Sequence, residues 1–289
     1  MSKVSVNGIN IHYWRIGKGP DMVMLHGLTG NLAVWHLKMV PLLRNEFRLT
    51  TYDLRGHGRS DMPLTGYTTA DHVSDLEGLL DALDMERVHF VGHSLGADVS
   101  LHFALRNPHR VGKMILIEPA IPALSYLRQD ENWEGWAYWA RMLDEYAGVK
   151  VPREKWSDLR YMVRESAKVP IIFGPAQGRP RKMERVFQLV DSTTIIEDYE
   201  VADDLTLENL AKIAHPKLMI YDSDSPYLGS YKVLRDLLIN CTKVLLPPSE
   251  HRHFSPLEQA ELLLKHMRPF LNSDQPPTSS TPQGDGNER

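Results

Sequence analysis

The sequence predicts an α/β protein: a doubly wound, mostly parallel sheet with a helical cap inserted after the sixth strand. Three observations carry that expectation. Short, nearly continuous apolar runs recur along the chain, as suits strands buried on both faces. Helical patterns with leucines three and four apart lie between them. One long interval, Ile121 to Ala214, has no strong strand pattern at all.

The chain opens on "VSVNGINIHYWRIG", two alternating runs about Asn7-Gly8. Asn-Gly accepts the paired positive φ angles of a type I′ turn, so an antiparallel hairpin is expected. The runs "DMVMLHG", "RLTTYDLRG", "VHFVGHS", "KMILIEPA", "KLMIYD" and "TKVLLPP" follow as the strands of a parallel sheet. Between them, "TTADHVSDLEGLLDALDM" sets Leu76, Leu79, Leu80 and Leu83 on one helical stripe. "PLEQAELLLKHMRPFL" does the same with Leu257, Leu262, Leu263 and Met267. The strandless interval is rich in Trp, Tyr, Arg and Met and reads as a cap over the carboxyl ends of the strands, where active sites of such sheets lie. The expected division is a core of residues 1–120 and 215–271, a cap of 121–214, and a tail of 272–289. That tail, "NSDQPPTSSTPQGDGNER", has too little apolar surface to offset its own ordering entropy and is expected to be disordered.

Composition narrows the function classes. Hydrophobic residues make up 42% and charged residues 24% of 289, ordinary proportions for a soluble globular protein. A net charge of −4 gives no electrostatic case for nucleic acid or an anionic membrane as partner. The single cysteine, Cys241, rules out an intrachain disulfide and fits a reducing compartment. The first residues lack the apolar stretch of a signal peptide, and no run approaches the ~20 residues of a membrane span. A cytoplasmic protein with a small-molecule substrate is the expectation.

Chemistry enters at "VGHSLG". Gly92-His93-Ser94-Leu95-Gly96 is a G-x-S-x-G between a strand and the helical stretch "LGADVSLHFALRNP". In that context the turn strains the serine backbone and raises the hydroxyl at the helix start, with glycines letting strand and helix pass closely. A serine hydroxyl needs a base to become a nucleophile.

With "MLHGLTG" (His26-Gly27) before it and "DLRGHGRSDMP" at 53–63, the chain resembles the α/β-hydrolases over roughly residues 3–271. The resemblance implies that Ser94 is the nucleophile and that the backbone N–H groups of Leu28 and Leu95 form the oxyanion hole. His26, His57 and His93 are expected to be scaffold. The family order of serine, acid, histidine sends the base to "PPSEHRHFSPLEQ", where His253-Phe254 matches the family pattern better than His251.

The acid is the irregular member. The family's majority pattern, Gly-x-x-Asp-Pro after the seventh strand, puts Ser225 of "YDSDSP" where the aspartate belongs. A minority carries the acid after the sixth strand, about two dozen residues beyond the nucleophile. There "KMILIEPA" offers Glu118, ending a run so apolar that an unpartnered carboxylate would be costly. Glu118 is therefore favoured over Asp224 and Asp222.

Taken together, the resemblance implies a serine hydrolase acting on an ester or thioester through an acyl-enzyme, with no cofactor and no metal. Carbon–carbon bond hydrolysis or acyl transfer on the same residues is the alternative, and a non-catalytic ligand receptor of this fold is the rival from another class. A serine argues against dehalogenase and epoxide hydrolase chemistry, which in this family uses aspartate at that position. In the cap, Trp133, Trp136 and Trp139 are expected to pack the cap or to wall the substrate site. Arg179, Arg181, Lys182 and Arg185 are expected to form a solvated surface, or otherwise an anion clamp. The 13 histidines show no metal-ligand spacing; "HRH" lacks an evident third ligand.

Overall fold

A computed structural model of the chain describes residues 2–169 and 180–273. Eight strands form one sheet: β1 (Ser2–Val6), β2 (Ile9–Gly17), β3 (Asp21–Leu25), β4 (Arg48–Tyr52), β5 (Val88–His93), β6 (Val111–Ile117), β7 (Lys217–Asp222) and β8 (Cys241–Leu246). Their spatial order is β1-β2-β4-β3-β5-β6-β7-β8. The β1–β2 and β2–β4 pairs are antiparallel and all the others parallel. The hairpin turns at Asn7 and Gly8, both with positive φ as the dipeptide predicts.

The sheet is covered on both faces. Helices Thr69–Ala82 and Leu95–Arg106 pack on one side, and Ala260–Asn272 with Trp35 and Met39 on the other. Helix Thr69–Ala82 begins at a capping box in which Thr68 accepts the Asp71 N–H and Asp71 accepts the Thr68 N–H. Leu76, Leu79 and Leu80 are fully buried, whereas Leu83 lies beyond the helix and is only partly covered.

The closing helix differs from its expected stripe. The backbone leaves the helix at Gln259, splitting the stretch into a turn at Ser255–Glu258 and a helix at Ala260–Asn272. That break re-phases the second piece. Leu263, Leu264, Met267 and Leu271 face the core, while Leu257 and Leu262 are half-buried. Asn272 is helical and Lys113 donates to the carbonyl oxygens of Phe270, Leu271 and Ser273. Asn272 therefore closes the last helix and Ser273 follows it in extended backbone, held by Lys113; the rest of the predicted tail lies outside the described residues.

Among the described residues, no strand lies between Ile117 and Lys217. The segment is helical: Glu134–Ala147, Leu159–Ser166, Pro180–Ser192 and two short turns. Trp136 and Trp139 stack at 5.9 Å, and Trp133 meets Trp136 edge-on at 5.0 Å.

Candidate active site

The carboxyl ends of β5, β6 and β7 meet below the inserted helices. Beyond β5, Ser94 is held at φ 52°, ψ −123°, with its N–H donating to the Ile117 carbonyl at 2.9 Å. The flanking glycines are sterically required. A Cβ at Gly92 would stand 2.3 Å from the Gly96 carbonyl oxygen, and one at Gly96 would stand 2.2 Å from that of Leu25. The sharp turn thus follows from two close backbone approaches.

The loop after β3 runs beside this turn. A Cβ at Gly27 would lie 3.1 Å from Ser94 Cβ, so this loop passes directly against the serine. Among the described residues, neither the Leu28 N–H nor the Leu95 N–H has a hydrogen-bond acceptor. The loop is fastened by two buried imidazoles. His26 Nδ1 donates to the Gly27 carbonyl at 2.8 Å and its Nε2 accepts the Leu54 N–H. His57 Nδ1 donates to the Arg55 carbonyl and its Nε2 accepts the Thr29 N–H at 3.0 Å. Both rings act as acceptors, so both must be neutral, and burial pushes His57 down to about 3. The scaffold expectation for these residues agrees with that geometry, but the hold of His57 on Thr29 is not visible from the sequence.

After β6, Glu118 turns its fully buried carboxylate toward the β7 loop. Oε1 accepts the Asp222 N–H at 2.6 Å, and Oε2 accepts the Ser225 hydroxyl and faces His253 Nδ1 at 3.2 Å. Burial pushes the Glu118 carboxyl up to about 8, against the Ser225 hydroxyl and the Asp222 N–H, which favour its charged form. Burial also holds His253 down at about 3, so the imidazole rests neutral. His93 Nε2 donates to the His253 carbonyl at 2.7 Å, and the His93 and Tyr227 rings lie 4.8 and 4.7 Å from the His253 ring.

The other candidates are occupied elsewhere. Asp224 pairs with Arg252 at 3.0 Å. Asp222 accepts the Ser249 hydroxyl at 2.9 Å, and burial beside Glu118 raises its carboxyl to about 7. His251 is bound through Nδ1 and its own N–H by the Glu258 carboxylate. Glu250, His251 and Glu258 also bring polar atoms within 4.8 Å of one another, and His251 Nδ1 is spent on the Glu258 carboxylate.

Ser94, His253, Leu28 and all three tryptophans line one solvent-open cleft. The tryptophans both pack the inserted helices and wall this cleft. Arg185 departs from both expectations for the basic cluster: it is half-buried and donates to the Ser60 carbonyl, a backbone oxygen of the "RGHGRS" loop. Arg179 and the side chains of Arg181 and Lys182 lie outside the described residues.

Comparisons with known proteins agree with this architecture. The family described as alpha/beta hydrolase fold matches residues 20–254. Among curated relatives, epoxide hydrolase 3 of Siraitia grosvenorii is 34% identical over 43% of this chain and 42% of its own length. A 2-hydroxy-6-oxononadienedioate/2-hydroxy-6-oxononatrienedioate hydrolase of Paraburkholderia xenovorans is 38% identical over 38% of this chain and 39% of its own. The chain thus spans less than half the length of the curated relatives it matches. The enol-lactonase structure from Burkholderia xenovorans superposes over 94% of this chain and 100% of that one, with a TM-score of 0.66 at 23% identity.

Proposed function

This chain belongs to the alpha/beta hydrolase fold family, and from that premise we propose that it is a serine hydrolase cleaving a carboxylic ester or thioester. Ser94 Oγ attacks the acyl carbon while its proton passes to His253 Nε2. The Leu28 and Leu95 N–H groups hold the oxyanion of the tetrahedral intermediate. The C–O or C–S bond then breaks, and the leaving group takes the proton from His253. A water molecule, giving its proton to His253 in turn, attacks the acyl-serine, and collapse of the second intermediate releases the acid and restores Ser94.

The observation that carries this reading is the 3.2 Å approach of Glu118 Oε2 to His253 Nδ1 in the cleft that Ser94 lines. With Nδ1 turned to Glu118, Nε2 is the nitrogen that this reading assigns to the serine. An imidazolium at that distance favours the ionised carboxylate, so the glutamate is stabilised as an anion when His253 gains its proton.

Carbon–carbon bond hydrolysis on the same residues is the second reading, favoured by the dienedioate hydrolase among the relatives. Ser94 at the elbow argues against an epoxide hydrolase, although relatives carry that name.

The test is a fluorophosphonate probe with peptide mapping, together with alkyl esters and acyl thioesters of graded chain length. Labelling at Ser94 and turnover of at least one series is the expected result. An unlabelled Ser94 with no turnover contradicts the reading, and cleavage of a vinylogous diketone without any ester or thioester turnover selects the second.

A further inference from the structure

We propose that the substrate of this cleft bears a carboxylate, and that the Arg128 guanidinium binds it. The proposal rests on the serine hydrolase reading and adds the charge of the substrate. Arg128 is the one Lys or Arg among the described residues lining the cleft, whose walls are otherwise largely aromatic and aliphatic. Its side chain is almost fully enclosed, the residue being 6% exposed. Nη1 donates to the Ala120 carbonyl at 3.0 Å, but Nη2 is buried without a hydrogen-bond partner. Among the described residues, no carboxylate lies within ion-pair distance of it.

A buried guanidinium in that state is expensive, because both a charge and two N–H donors have lost water without full replacement. Asp98 does not resolve this. Its Oδ1 accepts the Ala120 and Ile121 N–H groups at 3.1 Å each, so it serves the same backbone turn that Arg128 serves through Nη1. Burial raises the Asp98 carboxyl to about 7 against the Arg128 charge, and its Oδ2, like Arg128 Nη2, is buried without a hydrogen-bond partner, so the two groups make no direct bond. Among the described residues, Glu200 on the cleft wall and Glu134 on the wall of the adjoining recess that Arg128 also lines are both exposed and screened by solvent.

The planar fork of arginine matches a carboxylate, and Nη2 retains two donors for it. The position suits a group carried some way from the scissile bond. The Tyr227 ring lies 4.7 Å from His253 on one side and 5.5 Å from Trp133 on the other. Arg128, Trp133 and Tyr227 together line a recess that opens beside the main cleft. A carboxylate there is separated from the reacting carbonyl by a short chain, on either the acyl or the alcohol side.

Paired esters with and without a free carboxylate test this. On the acyl side, the monoethyl esters of succinic, glutaric and adipic acid are compared with their diethyl esters. On the alcohol side, 4-carboxybenzyl butyrate is compared with benzyl butyrate. The wild-type enzyme is expected to favour the free acid by roughly tenfold or more in kcat/KM in one arm, and that arm names the side. Arg128→Met should collapse the ratio mainly through KM, and Arg128→Lys should restore part of it. A wild-type ratio of one or less in both arms overturns the proposal without recourse to any variant. So does a ratio in Arg128→Met equal to that of the wild type, as expected if Arg128 only clamps Ala120. If the neutral esters turn over without a charge preference, the carboxylate assignment alone falls; if nothing turns over and Ser94 stays unlabelled, the hydrolase reading falls with it.

Discussion

The Ser225 hydroxyl donates to Glu118 Oε2, the same oxygen that stands 3.2 Å from His253 Nδ1. The position where the family's majority pattern places an aspartate therefore supports a carboxylate arriving from the neighbouring strand end. The Asp222 N–H completes the support at 2.6 Å on the other oxygen. A fully buried glutamate is tolerable here because its two oxygens are met by donors and it faces an imidazole.

Glu118→Gln is expected to lower kcat at least ~100-fold, because an amide cannot stabilise the imidazolium and can hold the wrong tautomer. Asp224→Asn should cost less than about tenfold, since that carboxylate is spent on Arg252 at 3.0 Å. Steady-state kinetics on a common ester decide the matter. The reverse order of losses would move the acid to the β7 loop.

His253→Ala should remove nearly all turnover, whereas His251→Ala should keep more than roughly a tenth of it. His251 is turned toward Glu258 and its loss disturbs the loop, not proton transfer. Equal or inverted losses in kcat, with unchanged melting temperatures, would assign the base wrongly.

Ser225→Ala should raise the Glu118 carboxyl further, because it removes a donor that favours the charged form. The acid limb of the kcat/KM profile is then expected to move to higher pH, with kcat at neutral pH down roughly tenfold. A profile that overlays the wild type would show that the hydroxyl does not tune the carboxylate.

Asp98→Asn tests the buried carboxyl beside the Ala120 turn. Its folded pKa is raised from 3.8 to about 7, so the folded state holds a proton that the unfolded chain has released. The stability this provides is present below pH 3.8 and is lost as pH rises toward 7, at about 1.4 kcal/mol per pH unit. Relative to wild type, the amide variant should gain stability across that window and no further above it. Denaturant unfolding at pH 5, 6, 7 and 8 measures the difference, and a constant offset would contradict it.

Much of this architecture is legible in the residues. The apolar runs mark the strands because a parallel sheet buries both faces, and Asn7-Gly8 marks the hairpin because few dipeptides accept two positive φ angles. The Ser94 turn is legible because Gly92 and Gly96 have no room for a side chain. What stayed hidden depends on contacts far apart in sequence. The bond from Ser225 to Glu118 crosses between two strand ends, and the grips of His57 on Thr29 and His93 on His253 join separate loops. Local pattern carries no record of such pairs. The unexpected break at Gln259 is a similar case, since the leucine spacing reads as one continuous helix.

The most direct test of the central claim is mass spectrometry of the protein quenched within its first turnovers on an ester, followed by peptide mapping. The account predicts a mass increase equal to the acyl group, located on Ser94. The adduct should accumulate when deacylation is slowed in Glu118→Gln and should be absent from Ser94→Ala. Ester cleavage by Ser94→Ala at a rate near wild type, or an acyl group mapped to any other residue, would contradict it.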